Sequence, residues 1–241
     1  MKTKVILSLL LLVLFASCST PKSIYRMVPN KKQESYWIQG QEFLVNKKNG
    51  VEVALAFNSF VENEIVFELK VTNNSGEPVI ADPQKAFLTY NDNSRNMYSA
   101  VDPERRIIKL QKNINESEAA IDNTETMSII GTLIYGAAAV ASAANDEDEY
   151  DRHETGELIY EGLRFRDEME YEKYKEQRKI SYMNDRTKYW KEYAFRKTTI
   201  QDGYYHNGTL HFISGYSSNM IITIPVEGMK FNFYYSVYKQ Y

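Results

Sequence analysis

The sequence predicts an α+β fold: a discontinuous antiparallel β-sandwich interrupted by an inserted helical hairpin or small bundle. Three observations predict it. Segments with two-residue apolar alternation and turn chemistry lie towards both ends of the chain, over residues 35–101 and 194–241. Between them, residues 102–193 carry apolar side chains at helical spacing, with proline only at their start. Inside that insertion lies an uncharged run, MSIIGTLIYGAAAVASAA, at 127–144.

The composition supports a folded protein. Of 241 residues, 43% are hydrophobic and 25% charged, enough for one large or two small domains. Nineteen Tyr and eleven Phe with only six Pro lean towards sheet and aromatic packing. A single Cys leaves no intramolecular disulfide.

Strands are expected at 36–45, 51–57, 64–72 and 78–90. Turn chemistry separates them at Asn49-Gly50, at 58–63 and at Asn73-Asn74-Ser75-Gly76. Val53, Leu55 and Phe57 share one face, as do Ile65, Phe67, Leu69 and Val71. Glu52, Glu68 and Lys70 point the other way.

Asp102-Pro103-Glu104 is a helix start: an N-cap acceptor, Pro where its missing N–H costs nothing, and an acid in the first turn. Ile107, Leu110, Ile114 and Ile121 follow at roughly helical spacing. After the uncharged run and an acidic loop at 146–151, residues 157–193 form a long charged segment. In it Tyr171, Tyr174, Tyr182, Tyr189 and Tyr193 are expected to lie along one helical stripe.

Strand character returns at 194–200, 209–213, 220–226 and 229–238. Asp202-Gly203 and Asn207-Gly208 are hairpin-turn signals between them. Phe231, Phe233, Tyr235 and Val237 alternate with Lys230, Asn232, Tyr234 and Ser236. Strand number and turn spacing resemble those of an immunoglobulin-like sandwich of seven or more strands and about 100 residues. That resemblance implies a sandwich of 35–101 with 194–241, and a helical insertion of 102–193. No activity comes with it.

The N-terminus carries Lys2 and Lys4, an apolar stretch at 5–15, and Phe15-Ala16-Ser17-Cys18. This resembles a bacterial lipoprotein signal, with Phe15 standing where that class usually has Leu. The resemblance implies removal of 1–17, lipid on Cys18, and a tether over 18–34 leading to the folded part. Ser19, rather than Asp, follows the cysteine, which in that class implies the outer membrane. The whole resembles uncharacterised envelope lipoproteins carrying an immunoglobulin-like domain interrupted by helices.

Loss of 1–17 removes two of 29 basic residues, leaving 27 against 32 acidic ones and a formal net charge of −5. That balance argues against a nucleic-acid partner, whose phosphates demand a basic surface. Membrane association is expected through the N-terminal lipid.

The candidate interaction site is the uncharged run. Its 18 residues would span about 27 Å as a helix, just short of a bilayer core. Its weak Ala- and Gly-rich hydrophobicity and acidic flanks oppose a membrane span. Ser128, Thr132, Gly136, Ala139 and Ala143 recur at four, four, three and four, a small face permitting close approach of another helix. Its partner is either the Tyr-striped helix of the same chain, another envelope protein or a second copy.

Other chemistry is sparse. Asp146, Asp148 and Glu157 sit at positions 1, 3 and 12 of a calcium-type loop, but Tyr150 and Asp151 occupy positions 5 and 6, so a solvated acidic loop is expected. His153, His206 and His211 form no ligand set. No Gly-x-Ser-x-Gly, His-Glu-x-x-His or phosphate-binding glycine loop occurs. The expectation is a non-catalytic envelope protein without a cofactor, which binds or scaffolds another component through its helices. The alternatives are a self-assembling or membrane-engaging helical module and, more distantly, an envelope hydrolase.

Overall fold

The computed structural model describes residues 24–30, 32–61, 63–90, 93–144, 149–213 and 219–240. Residues 1–23, Cys18 among them, and Asp146 and Asp148 lie outside them. The fold is α+β: two antiparallel sheets and a two-helix insertion.

The strands are β1 (Ile24–Pro29), β2 (Glu34–Ile38), β3 (Gln41–Lys48), β4 (Val51–Val61), β5 (Glu64–Asn73) and β6 (Val79–Ala81). There follow β7 (Phe87–Tyr90), β8 (Asn93–Ser99), β9 (Thr198–Ile200), β10 (Tyr205–Ile213), β11 (Asn219–Val226) and β12 (Met229–Gln240). One sheet runs β1-β12-β11-β6-β9, with β7 also on β11 and β8 on β7. The other runs β10-β5-β4-β3-β2. Sheets of seven and five strands make this sandwich broader than the seven to nine strands of an immunoglobulin domain.

Strand alternation builds the core. Val53, Leu55, Ile65, Phe67, Leu69 and Val71 are buried against Ile222, Ile224, Phe231, Phe233 and Tyr235 of the opposite sheet, with Phe57 packed partly buried beside them. Tyr235 spans the gap, its hydroxyl donating to the Leu55 carbonyl at 2.8 Å. Tyr235→Phe is expected to lower unfolding free energy by about 1 kcal/mol, measured by urea denaturation.

Several turn readings need correction. The tether expected over 18–34 is already strand from Ile24, because β1 pairs with β12 and Met27 is buried. Pro29 hid it, yet it ends the strand, where a missing N–H is tolerated. The stretch 36–45 is two strands joined at Gln39-Gly40, both at positive φ. The stretch 78–90 is likewise broken, by a 3-10 turn at Pro83–Lys85 capped by Asp82.

Asn49-Gly50 does turn, at φ 48° and 77°, whereas Asn207-Gly208 lies inside β10, paired with Lys70 and Leu69. Gly208 is needed there for close approach: a Cβ would stand 2.7 Å from the Phe195 nitrogen and 2.9 Å from the Tyr193 carbonyl. Those backbones meet β10 through Phe195 N–H to Thr209 O at 2.9 Å and Thr209 N–H to Tyr193 O at 2.7 Å.

The insertion is a hairpin of α1 (Pro103–Ala144) and α2 (Glu149–Glu192), 42 and 44 residues long. Asp102 caps α1, its Oδ1 accepting from Glu104 N–H at 2.9 Å.

Candidate interaction surface

A buried polar cluster fastens the base of the hairpin to the sandwich. Ile107 of α1, Trp190 of α2 and Ala194 form a small apolar core of their own, with Val101, Leu110 and Tyr189 around it. Beneath them, on the outer face of the five-stranded sheet, Glu64 lies next to His211 on the neighbouring β10. His211 Nδ1 donates to Glu64 Oε2 at 2.9 Å, and Arg106 of α1 pairs with Glu64 Oε1. On the other side His211 Nε2 is 3.1 Å from the Tyr189 hydroxyl and 3.2 Å from that of Thr209. The Trp190 ring lies over His211 at 4.4 Å, and the Arg106 guanidinium over Trp190 at 5.4 Å. Burial pushes the Glu64 carboxyl up, but the His211 hydrogen bond and then the Arg106 charge hold it below the usual carboxylate range.

Thr209, His211 and Glu64 thus follow the hydroxyl–imidazole–carboxylate order of a nucleophilic triad, but they are tied up as a fastening. The Thr209 hydroxyl donates to the Tyr193 carbonyl at 3.2 Å, the Tyr189 hydroxyl shares Nε2, and His211 is only 4% exposed under Trp190. Sequence reading missed this cluster. Its one signal was a Glu and a His at strand positions that alternate with core residues Ile65, Leu210 and Phe212.

Above the base, α1 packs along α2 through a seam spaced three and four residues apart. On α1 it runs Ile107, Leu110, Ile114, Ser117, Ile121, Thr124, Ser128, Gly131, Tyr135, Ala138 and Ser142, all buried or half-buried. Gly131 lets the Phe165 ring of α2 come so close that a Cβ would lie 2.2 Å from it. Gly162 of α2 likewise receives Tyr135, and Thr155 donates to Ser142 Oγ at 2.8 Å. Glu125 pairs with Lys173 on one side of the seam.

Of the predicted small face, only Ser128 belongs to the seam that meets α2. Ala139 is buried and Ser128 half-buried, both at its edge, but Thr132, Gly136 and Ala143 are exposed, and nothing lies within 4 Å of a Cβ built on Gly136. Nor do the tyrosines form the mating stripe of α2. Tyr171, Tyr174, Tyr182 and Tyr193 are exposed, and α2 packs instead through Leu158, Gly162, Phe165, Met169, Ile180, Met183 and Trp190.

What remains uncovered is apolar. Ile129, Leu133 and Val140 are 64, 68 and 71% exposed, and Met127, Ile130 and Ile134 are exposed as well. By length and composition alone α1 is the one helix among the described residues able to cross a membrane. Its neighbour is not: between 157 and 173, α2 carries Glu157, Glu161, Arg164, Arg166, Asp167, Glu168, Glu170, Glu172 and Lys173.

A shallow groove of about 450 Å³ crosses the outer face of the five-stranded sheet, beside Tyr36, Phe43, Lys70, Tyr193, Tyr205 and Thr209. Its aromatic faces are already paired, Tyr36 on Phe43 at 5.4 Å and Lys70 over Tyr205 at 4.6 Å. His206 packs edge-on against Phe195 at 4.8 Å, away from His211, and burial pushes its imidazole down. Among the described residues no group of His, Cys, Asp or Glu could hold a metal ion.

Fold and surface together define a class, a β-sandwich bearing a long two-helix hairpin with one helix apolar on its outside. No family model, curated protein or solved structure matches the chain.

Proposed function

We propose that this is a non-catalytic, lipid-anchored protein of the outer membrane that binds or scaffolds another envelope component through its helical hairpin. The observation carrying the reading is the uncovered apolar side of α1 between Met127 and Val140. Apolar patches of this extent on a single protein mark interaction sites. The lipoprotein-like segment ending at Cys18 supports the address, and Ser19 after it supports the outer membrane. A membrane-engaging hairpin is the second reading, favoured by the length and composition of α1. It ranks behind because α2 would bring its charges along.

The test uses the full chain in a bacterial host supplied with a clickable palmitate analogue and a photo-crosslinker at Ile134. The expected results are lipid label on the chain, loss of label and of membrane sedimentation in Cys18→Ala, and a crosslinked adduct of defined mass with a second protein. Label that persists in Cys18→Ala, or crosslinks to lipid alone, would overturn the proposal.

A further inference from the structure

The distal half of α1 carries a second seam, distinct from the one that packs on α2. Ile129, Leu133, Gly136, Val140 and Ala143 recur at four, three, four and three, with Thr132 beside them, and all are exposed. This spacing is that of a helix–helix contact, and in the described structure no helix occupies it. The seam has an internal symmetry centred on Gly136. Ile129, seven residues before it, matches Ala143, seven after, and Thr132, four before, matches Val140, four after. In both pairs a large exposed side chain is matched by position with a smaller exposed one.

We infer that a second copy of this chain covers this face, with the two α1 helices antiparallel about a two-fold axis at Gly136. In that register Ile129 of one copy packs on Ala143 of the other, and Thr132 and Leu133 lie against Val140. The two backbones approach at Gly136, whose Cβ position is open.

The same side of the hairpin extends onto α2. Lys173 bonds Glu125, which lies one and two heptads before Thr132 and Ala139. Ile159 lies two heptads before Lys173, and Leu163 one turn beyond Ile159. Both are about half exposed. Five aliphatic side chains of roughly 60–120 Å² each are several hundred Å² per copy. Thr132, Gly136, Ala143 and backbone raise this towards the roughly 800 Å² per partner of a standard interface.

A bilayer is the poorer occupant. It would take in α2 with its charges, and residues 157–173, with six acids against three bases, give a membrane surface no basic face to attract. Met127, Ile130 and Ile134 point to the opposite flank and remain free for the envelope component proposed above. The self-association does not depend on that component.

The test is oxidative crosslinking of the full chain in the host membrane, with the unsubstituted chain, whose single cysteine is Cys18, as background. Gly136→Cys is expected to give a disulfide-linked dimer at a yield about tenfold above Ile130→Cys on the other flank, because only residues near the axis reach disulfide geometry. Ile129→Cys and Ala143→Cys, co-expressed with different tags, are expected to link to each other and not to themselves. Leu133→Glu in the Gly136→Cys background is expected to abolish the dimer while helicity by circular dichroism is kept. The inference is overturned by a Gly136→Cys chain that stays monomeric, by equal yields at Gly136 and Ile130, or by self-linking of Ile129→Cys, which would signify parallel pairing. None of these outcomes bears on the lipid label or on adducts at Ile134, so the two proposals fail separately.

Discussion

Glu64→Ala is expected to lower the unfolding free energy by about 3–5 kcal/mol, because it leaves the Arg106 guanidinium and the His211 imidazole facing each other in a buried site without their shared carboxylate. The site lies where the hairpin joins the sheet, so the loss should show in the helical signal and in the sheet core together during denaturation. Glu64→Gln keeps the volume and one acceptor and should cost less. It also separates packing from charge. The carboxyl of Glu64 is held below its ordinary value of 4.5, so ionisation of this group stabilises the folded state. That contribution is present in full above the unfolded value and is lost as pH falls through the lower folded value. Melting temperature plotted from roughly pH 5 down to pH 3 should therefore fall more steeply for the unsubstituted chain than for Glu64→Gln. Parallel curves would show that Glu64 ionisation contributes nothing to the junction.

Gly131→Leu is the second large effect. A Cβ at Gly131 already meets the Phe165 ring at 2.2 Å and 2.5 Å, so a leucine has to displace that ring or part the helices. Overpacking of this kind costs about 1–3 kcal/mol, and the expected readout is an earlier melt of helical circular dichroism. Gly136→Leu, five residues along the same helix, meets open space within its own chain. With both variants compared in the Leu133→Glu background, where the proposed pairing of α1 helices is blocked, it should leave the hairpin unharmed or favour it by up to about 1 kcal/mol through helix propensity. Equal melting of the two variants would mean that the Gly131–Phe165 contact is not what sets the helix spacing.

The same pair of glycines shows where the sequence was readable. The strands of the core were legible because burying one face of a sheet imposes a period of two, as in Ile65, Phe67, Leu69 and Val71. The helical insertion was legible from its cap at Asp102. Within 127–144, however, every face of the helix is apolar or small, so hydrophobicity alone could not say which face turns inward. The phase was available in the charged half of the same helix. Ile107, Leu110 and Ile114, continued at three and four, arrive at Ser128, Gly131 and Tyr135 rather than at Thr132 and Gly136. Asn207-Gly208 failed for a different reason. The pair that most readily turns a chain also permits two backbones to touch, and here the returning segment from α2 uses it for that purpose. The Glu64–His211–Arg106 cluster was illegible because its members come from three elements far apart in the chain.

The pairing of β1 with β12 has a consequence for reach. With lipid on Cys18, as proposed, only the six steps to Ile24 lie between the anchor and the sheet. A chain of that length spans at most about 20 Å. The hairpin, with helices of 42 and 44 residues, is about 63 Å long. Such an anchor would hold the body of the protein close to the lipid surface, with a hairpin some three times longer than the leash. The partners it can meet are then selected first by their distance from the membrane.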